Sequence, residues 1–237
     1  MKTTAACLLC AVVSTLWVSQ GRADEEEAPA PAPPPRLSSH EVVGRFEIGY
    51  RGSFVTDSGY NPFSTRDYLP QLSIGVTRTL ARRGPWSFAA GVAWDNASTG
   101  ATSLGDTTSL TLNRLTVLLE GRARFGRWGY AFVRGAPGVA LENLEVDDPS
   151  VPNDALTKSR WLFAADLSGG YAFPLWTRAG TSQLLSNFWA QADGGYGVVA
   201  DDRLDLTPSG QDRADGVDLG VLALRGAFFR LSLAASL

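Results

Sequence analysis

Charged residues recur at alternate positions of otherwise apolar stretches. Arg45, Glu47 and Arg51 form one such set and Arg114, Glu120, Arg122 and Arg124 another; Asp166, Asp193 and Arg230 each stand within a similar pattern. Two chemistries are open to these residues. Two carboxylates at short range can divide the work of acid and base on a substrate. Carboxylates and guanidiniums can instead neutralise one another in a confined space. Here Arg45, Arg51, Arg114, Arg122, Arg124 and Arg230 oppose Glu47, Glu120, Asp166 and Asp193. That near balance favours ion pairing over an acid–base pair, because an isolated buried charge is costly and a paired one is tolerated.

Other reactive groups are scarce. The sole histidine, His40, precedes the first patterned segment, so nucleophile–histidine catalysis within the patterned region is not supported. No Cys/His grouping suits zinc. The stretch GGYGVV at 194–199 does not open a helix and reads as a strand with small inward residues rather than a phosphate loop. Two acidic groups, Glu142, Glu145, Asp147, Asp148 and Asp154, then Asp201, Asp202, Asp205, Asp212, Asp215 and Asp218, match no calcium-loop spacing and read as solvated loops. No cofactor, metal site or enzymatic activity is expected.

The elements that position the charges are strands. In PWSFAAGVAWDNAS (85–98), Trp86, Phe88, Ala90, Val92 and Trp94 alternate with Ser87, Ala89, Gly91, Ala93 and Asp95. This period of two repeats about eight times from Glu41 onward, with no helical period. The stretch from Arg127 to Asn143 is less regular. Its Pro137 and glycines suggest a bulge or an interrupted ladder and leave the facing of Arg134 open.

Residues 1–23 read as a secretory signal peptide: Lys2, an apolar stretch of 14 residues, then small residues at 21 and 23 before DEEE. Cys7 and Cys10 lie inside it. Residues 24–40 read as an acidic, proline-rich periplasmic linker. Net charge falls from −3 to −5 once Lys2 and Arg22 leave with the leader, which gives no support to nucleic-acid binding. No apolar run is long enough for a transmembrane helix.

An alternating sheet can bury its apolar face inside a soluble barrel or turn it outward to lipid. An eight-stranded barrel is only just wide enough for side chains to fill. Twelve bulky aromatics would overfill it, whereas rows of Gly, Ser, Ala and Thr with scattered charges suit a narrow lumen. Trp86, Trp94, Trp161 and Phe173 lie toward strand ends, where aromatic girdles meet the two bilayer interfaces. Short turns (RRG, GR) and longer polar connections (TDSGYNPFSTRD, STGATSLGDTT, LEVDDPSVPND, DDRLDLTPSGQDRADG) tend to alternate, as in membrane barrels with long loops facing outside.

Residues 41–237 resemble, in pattern, the small bacterial outer-membrane β-barrels of the OmpA transmembrane-domain and OmpX type. The closing strand, with Phe229, Leu231, Leu233, Ala235 and Leu237 alternating, carries most of the resemblance; the last residue is Leu where the family usually has an aromatic. The resemblance implies an all-β, antiparallel up-and-down barrel in the bacterial outer membrane, inserted by the barrel-assembly machinery through its C-terminal strand. Its partners would be outer-membrane lipid and lipopolysaccharide. Relatives that modify lipid A use barrel His and Ser, and this barrel has no His. The expectation is a non-enzymatic barrel of eight strands with a charge-plugged lumen and a structural or surface-contact role. A narrow porin-like channel for small solutes and a secreted soluble barrel binding an apolar ligand are the alternatives. GVDLGVLAL (216–224) could extend the last strand or add a separate one, giving ten.

Overall fold

The computed structural model describes residues 44–103, 106–125, 128–147, 155–177, 187–208 and 217–236. The expected leader and linker, together with Asp148, Asp154, Asp212, Asp215 and Leu237, lie outside these residues.

Period-two patterning becomes β1 (Gly44–Phe54), β2 (Tyr68–Arg83), β3 (Trp86–Ser103), β4 (Asp106–Arg124), β5 (Tyr130–Asp147), β6 (Leu156–Thr177), β7 (Asn187–Val199), β8 (Asp202–Pro208), β9 (Val217–Leu222) and β10 (Arg225–Ser236). Each strand from β1 to β6 pairs antiparallel with the next, and β10 pairs with both β7 and β1. Eight strands therefore close a ring. β9 pairs with β8 and not with the wall, so GVDLGVLAL contributes a separate strand without making a ten-stranded barrel.

Outer and inner rows are sharply different. Phe88, Val92, Leu115, Val117, Phe163, Leu167, Leu231 and Leu233 are exposed, whereas Arg45, Glu47, Arg51, Asp95, Arg114, Glu120 and Arg134 are buried. Water would penalise so continuous an apolar exterior. In a bilayer the closed ring leaves no backbone edge unpaired and sets the apolar rows against acyl chains. A soluble barrel with its apolar face inside is thereby excluded.

Three connections differ from expectation. STGATSLGDTT is strand rather than a long loop: β3 and β4 remain paired up to Ser103 opposite Asp106. β5 likewise carries its pairing with β6 into LEVDD. TDSGYNPFSTRD turns inward as a 3-10 turn, Ser58–Phe63, capped by Asp57, whose carboxylate accepts from the Gly59 N–H at 2.8 Å. Its aromatic content explains this, since Tyr60 and Phe63 become fully buried instead of remaining in solvent. In β5, Pro137 interrupts the ladder without a bulge. The pairs Thr116–Gly138 and Leu119–Gly135 keep one register on either side of it.

The interior has three layers. Tyr130, Phe132, Ala172, Trp189 and Ala234 pack together at the end of the chain terminus. Charged side chains fill the middle. Tyr60, Phe63, Leu110, Leu112, Leu144, Leu162, Leu204, Leu222 and Leu224 close the opposite, loop end. The expectation that inward rows hold small and polar residues fails at both ends, because wall space left by glycine and alanine admits bulky inward groups.

Candidate functional site

The lumen is the candidate site, and its charges gather into two tiers. The first joins β1, β4 and β5. Arg134 donates to both Glu47 oxygens, at 2.9 and 3.0 Å, and its Nη2 lies 2.6 Å from Glu120 Oε2. Arg122 Nε donates to Glu120 Oε1 at 2.5 Å, and its Nη2 donates to Thr77 Oγ1 at 3.0 Å. Arg45 donates to Gln191 Oε1 on β7. One guanidinium thus ties opposite parts of the wall together through two carboxylates, the geometry for which its planar fork of donors is suited.

The second tier joins β1, β3, β4 and β6. Arg51 makes a two-point contact with Asp166, Nη1 to Oδ2 at 2.5 Å and Nη2 to Oδ1 at 3.1 Å. Arg114 Nη2 lies 2.8 Å from the same Oδ2, and Asp95 lies 3.6 Å from Arg51. Arg230 and Asp193 are buried cross-strand partners on β10 and β7.

Two glycines make room for these contacts. A Cβ on Gly197 would stand 2.4 Å from Asp166 Oδ1 and 2.7 Å from Arg51 Nη2, and one on Gly75 would meet Glu47 Oε1 at 2.9 Å. The glycine-rich GGYGVV stretch thus accommodates an ion pair. Inward aromatics supply the remaining contacts. The Arg51 guanidinium carbon lies 3.9 Å from the Phe228 ring centroid, and those of Arg122 and Arg134 lie 5.3 and 5.2 Å from Tyr130 and Phe132.

Among the expected lumen residues, Arg45, Glu47, Arg51, Arg114, Glu120, Arg122, Asp166, Asp193 and Arg230 are buried inside the ring. Arg124 is the exception. It is half-buried beside the short turn, where its backbone N–H donates to Pro85 O at 2.9 Å. Two members were missed. Arg134 sits in the irregular segment, and its signal, register from the partner strand, emerges only once Glu120 is seen directly opposite it. Asp95 stands in the polar row of β3 but outside the expected charge set; it faces Arg114.

On the outer surface Trp86, Trp94, Trp161 and Phe173 are all exposed. Trp94 lies mid-strand, because β3 continues beyond the apolar band. On β5 that band ends at Leu141, opposite Trp161; beyond it the outward pairs are Asn143 with Ser159 and Glu145 with Thr157. The membrane-spanning part of β5 is therefore taken as 131–141.

Just past that boundary lies a smaller charged group. Buried Asp202, at the start of β8, receives Lys158 Nζ at 2.9 Å and also contacts Arg160, both from β6. Glu142 is buried beside them, and burial, followed by the neighbouring Asp202 carboxylate, pushes its pKa up to about 7. Lys158 also donates to the Arg203 carbonyl, so β6 holds β8 by side chain as well as by backbone pairing.

No family model and no curated protein matches the chain. Two solved structures of Ail, the attachment invasion locus protein of Yersinia pestis, are similar to it. One, in complex with the heparin analogue sucrose octasulfate, has 13% identity and a TM-score of 0.47; it covers 82% of this chain and 97% of that one. The other has 15% identity, a TM-score of 0.43 and the same coverage. An eight-stranded antiparallel ring, charged within and apolar without, is the architecture of the small bacterial outer-membrane β-barrels, and this chain shares that fold.

Proposed function

We propose that the protein is a non-enzymatic barrel of the bacterial outer membrane whose lumen is plugged by its own ion pairs, and that it serves a structural or surface-contact role through its loop end. The observation that carries this reading is Arg134 spanning the interior from β5 to Glu47 on β1 while holding Glu120. A second crosspiece, Arg51 with Asp166, lies in the next tier, and apolar packing closes both ends. Each carboxylate in these crosspieces is engaged by arginine, which leaves no free base for proton transfer. A leader that exports the chain, periplasmic short turns and outer-membrane lipid and lipopolysaccharide as surroundings complete the proposal. Insertion by the barrel-assembly machinery, through the alternating β10 strand, belongs to it as well.

The test is planar-bilayer conductance of the refolded full chain, with heat-modifiable migration on gels as the check on barrel closure. A heat-modifiable protein without stable openings is the expected result. Stable openings would replace the plug with a narrow solute channel, and Arg122→Ala would then change its ion selectivity.

A further inference from the structure

The lipid-facing row of β2 reads Leu72, Ile74, Val76 and then Arg78, which is exposed. A cation on the lipid face is costly at the bilayer midplane and tolerated near an interface. Arg78 is near the turn end. It pairs across β1 with Gly44, the first residue of that strand, and across β3 with Ala90. Both neighbours are small, so the wall beside the guanidinium is low.

A β-bulge follows between Thr79 and Ala81. It shifts the facing of the strand by one residue, so that Ala81 opposes outward-facing Phe88 and Arg83 opposes outward-facing Trp86. Without it, Arg82 rather than Arg83 would stand opposite Trp86. Arg83 and Trp86 are both exposed, Trp86 at 64%. Arg83 lies five positions along from Arg78, about 16 Å along the strand and roughly 12 Å in depth at the usual barrel tilt. That span crosses the headgroup layer, with Trp86 as the interfacial aromatic. The cross-strand neighbours Gly44, Ala90 and Trp86 carry no charge; of the intervening Thr79, Leu80, Ala81 and Arg82 only Arg82 does, and it stands opposite Ser87 and donates to the Gly84 carbonyl. Among the described residues this end presents exposed arginine and no exposed Asp or Glu, whereas Asp67, Asp106, Glu145 and Asp201 are exposed at the loop end.

We propose that Arg78 and Arg83, with Trp86, form a docking surface for the headgroup of an anionic phospholipid in the leaflet at the turn end of the barrel. The proposal rests on the membrane-barrel reading above. Guanidiniums at two depths let one pair with the phosphodiester while the other adds positive potential along the headgroup, which zwitterionic headgroups, carrying their own cation, reward less.

The experiment reconstitutes the full chain in phosphatidylcholine vesicles and measures, by spin-label resonance, the relative association of spin-labelled phosphatidylglycerol and phosphatidylcholine. The wild type is expected to favour phosphatidylglycerol about fivefold, falling toward parity in Arg78→Gln/Arg83→Gln. Loop-end Arg66→Gln/Arg203→Gln should retain the preference, and inorganic phosphate should not abolish it. Should the double variant fail to give a heat-modifiable band, Arg78→Gln alone is read, with a partial loss expected. No preference in the wild type, or an undiminished one in the folded variant, overturns the proposal. A heat-modifiable wild type without lipid preference leaves the barrel reading intact, whereas loss of heat-modifiability in the wild type strikes the barrel reading itself.

Discussion

Within the bilayer band this protein is charged inside and apolar outside; beyond the band, in the same strands, the arrangement reverses. β4 shows the change within a few residues. Leu110 and Leu112 point inward while Thr111 and Asn113 point out; then Arg114 and Thr116 point inward while Leu115 and Val117 point out. β5 does the same, with Arg134 in and Val139 out, then Leu144 in and Asn143 out. The backbone is continuous and its side-chain period does not change. What changes is the solvent outside the wall, from hydrocarbon to water, and the inner layer changes with it. Apolar packing can supply the driving force only where the alternative is water. Within hydrocarbon, ion pairs and hydrogen bonds across the lumen hold opposite walls together.

Breaking the ionic region should have the largest effect. Arg134→Ala leaves Glu47 and Glu120 buried without their shared cation, for which a loss of about 3–5 kcal/mol is expected. Urea-induced unfolding in detergent or lipid, followed by tryptophan fluorescence and gel migration, measures it. Glu47→Ala/Arg134→Ala should be less destabilised than Arg134→Ala, because Glu120 keeps Arg122 and no unpaired carboxylate remains. A double variant at least as unstable as the single one would mean that packing, not charge, dominates this tier.

The loop-end region should break differently. Phe63→Ala removes a fully buried ring from an apolar cluster, a loss of about 3 kcal/mol. Above the membrane that loss is local. Proteolysis in the loops should accelerate while heat-modifiable migration, which reports the spanning ring, persists. Loss of the ring as well would show that the two regions fold as one cooperative unit, and the contrast between them would then be one of composition only.

The spanning ring was legible because lipid demands an unbroken apolar row and strands have a fixed period; Phe46, Ile48 and Tyr50 needed no partner to be placed. The loop end was not legible as folded structure. Leu110 and Leu112 fall out of phase with Leu115 and Val117, and that phase change marks where β4 leaves the bilayer, yet without a partner strand it looks like irregularity. The same limit hid Arg134. Pro137 and Gly138 obscure the local pattern, and only pairing to Glu120 sets the facing. Tyr60 and Phe63 lay in a segment rich in Gly, Asn, Pro and Ser, where turn chemistry masks the aromatics that draw it inward. Asp202 was visible as an acid but not as a partner of Lys158 and Arg160, a contact made across 42 residues or more.

The smallest expected effect sharpens the boundary between the two regions. Glu142 sits one residue beyond the apolar band of β5, in the buried group that ties β6 to β8. Burial and Asp202 raise its pKa to about 7, while Lys158 and Arg160 pull in the opposite direction without prevailing. A carboxyl whose folded pKa lies above its unfolded value of 4.5 holds its proton in the folded state while the unfolded chain has released it. The folded state then binds more protons across that interval, so stability is greatest below pH 4.5, falls as pH rises toward about 7, and levels off above it. Other carboxyls shape the whole profile, so the quantity to read is the difference between the wild type and Glu142→Gln, which mimics the protonated form. That difference should be small in acid and should grow in favour of Glu142→Gln as pH rises through neutrality. Hydrogen exchange of β8 amides should show the same crossover, with faster exchange in the wild type at high pH only. A pH-independent difference would place Glu142 in water, and the apolar interior of the loop end would then begin farther from the membrane than Leu144.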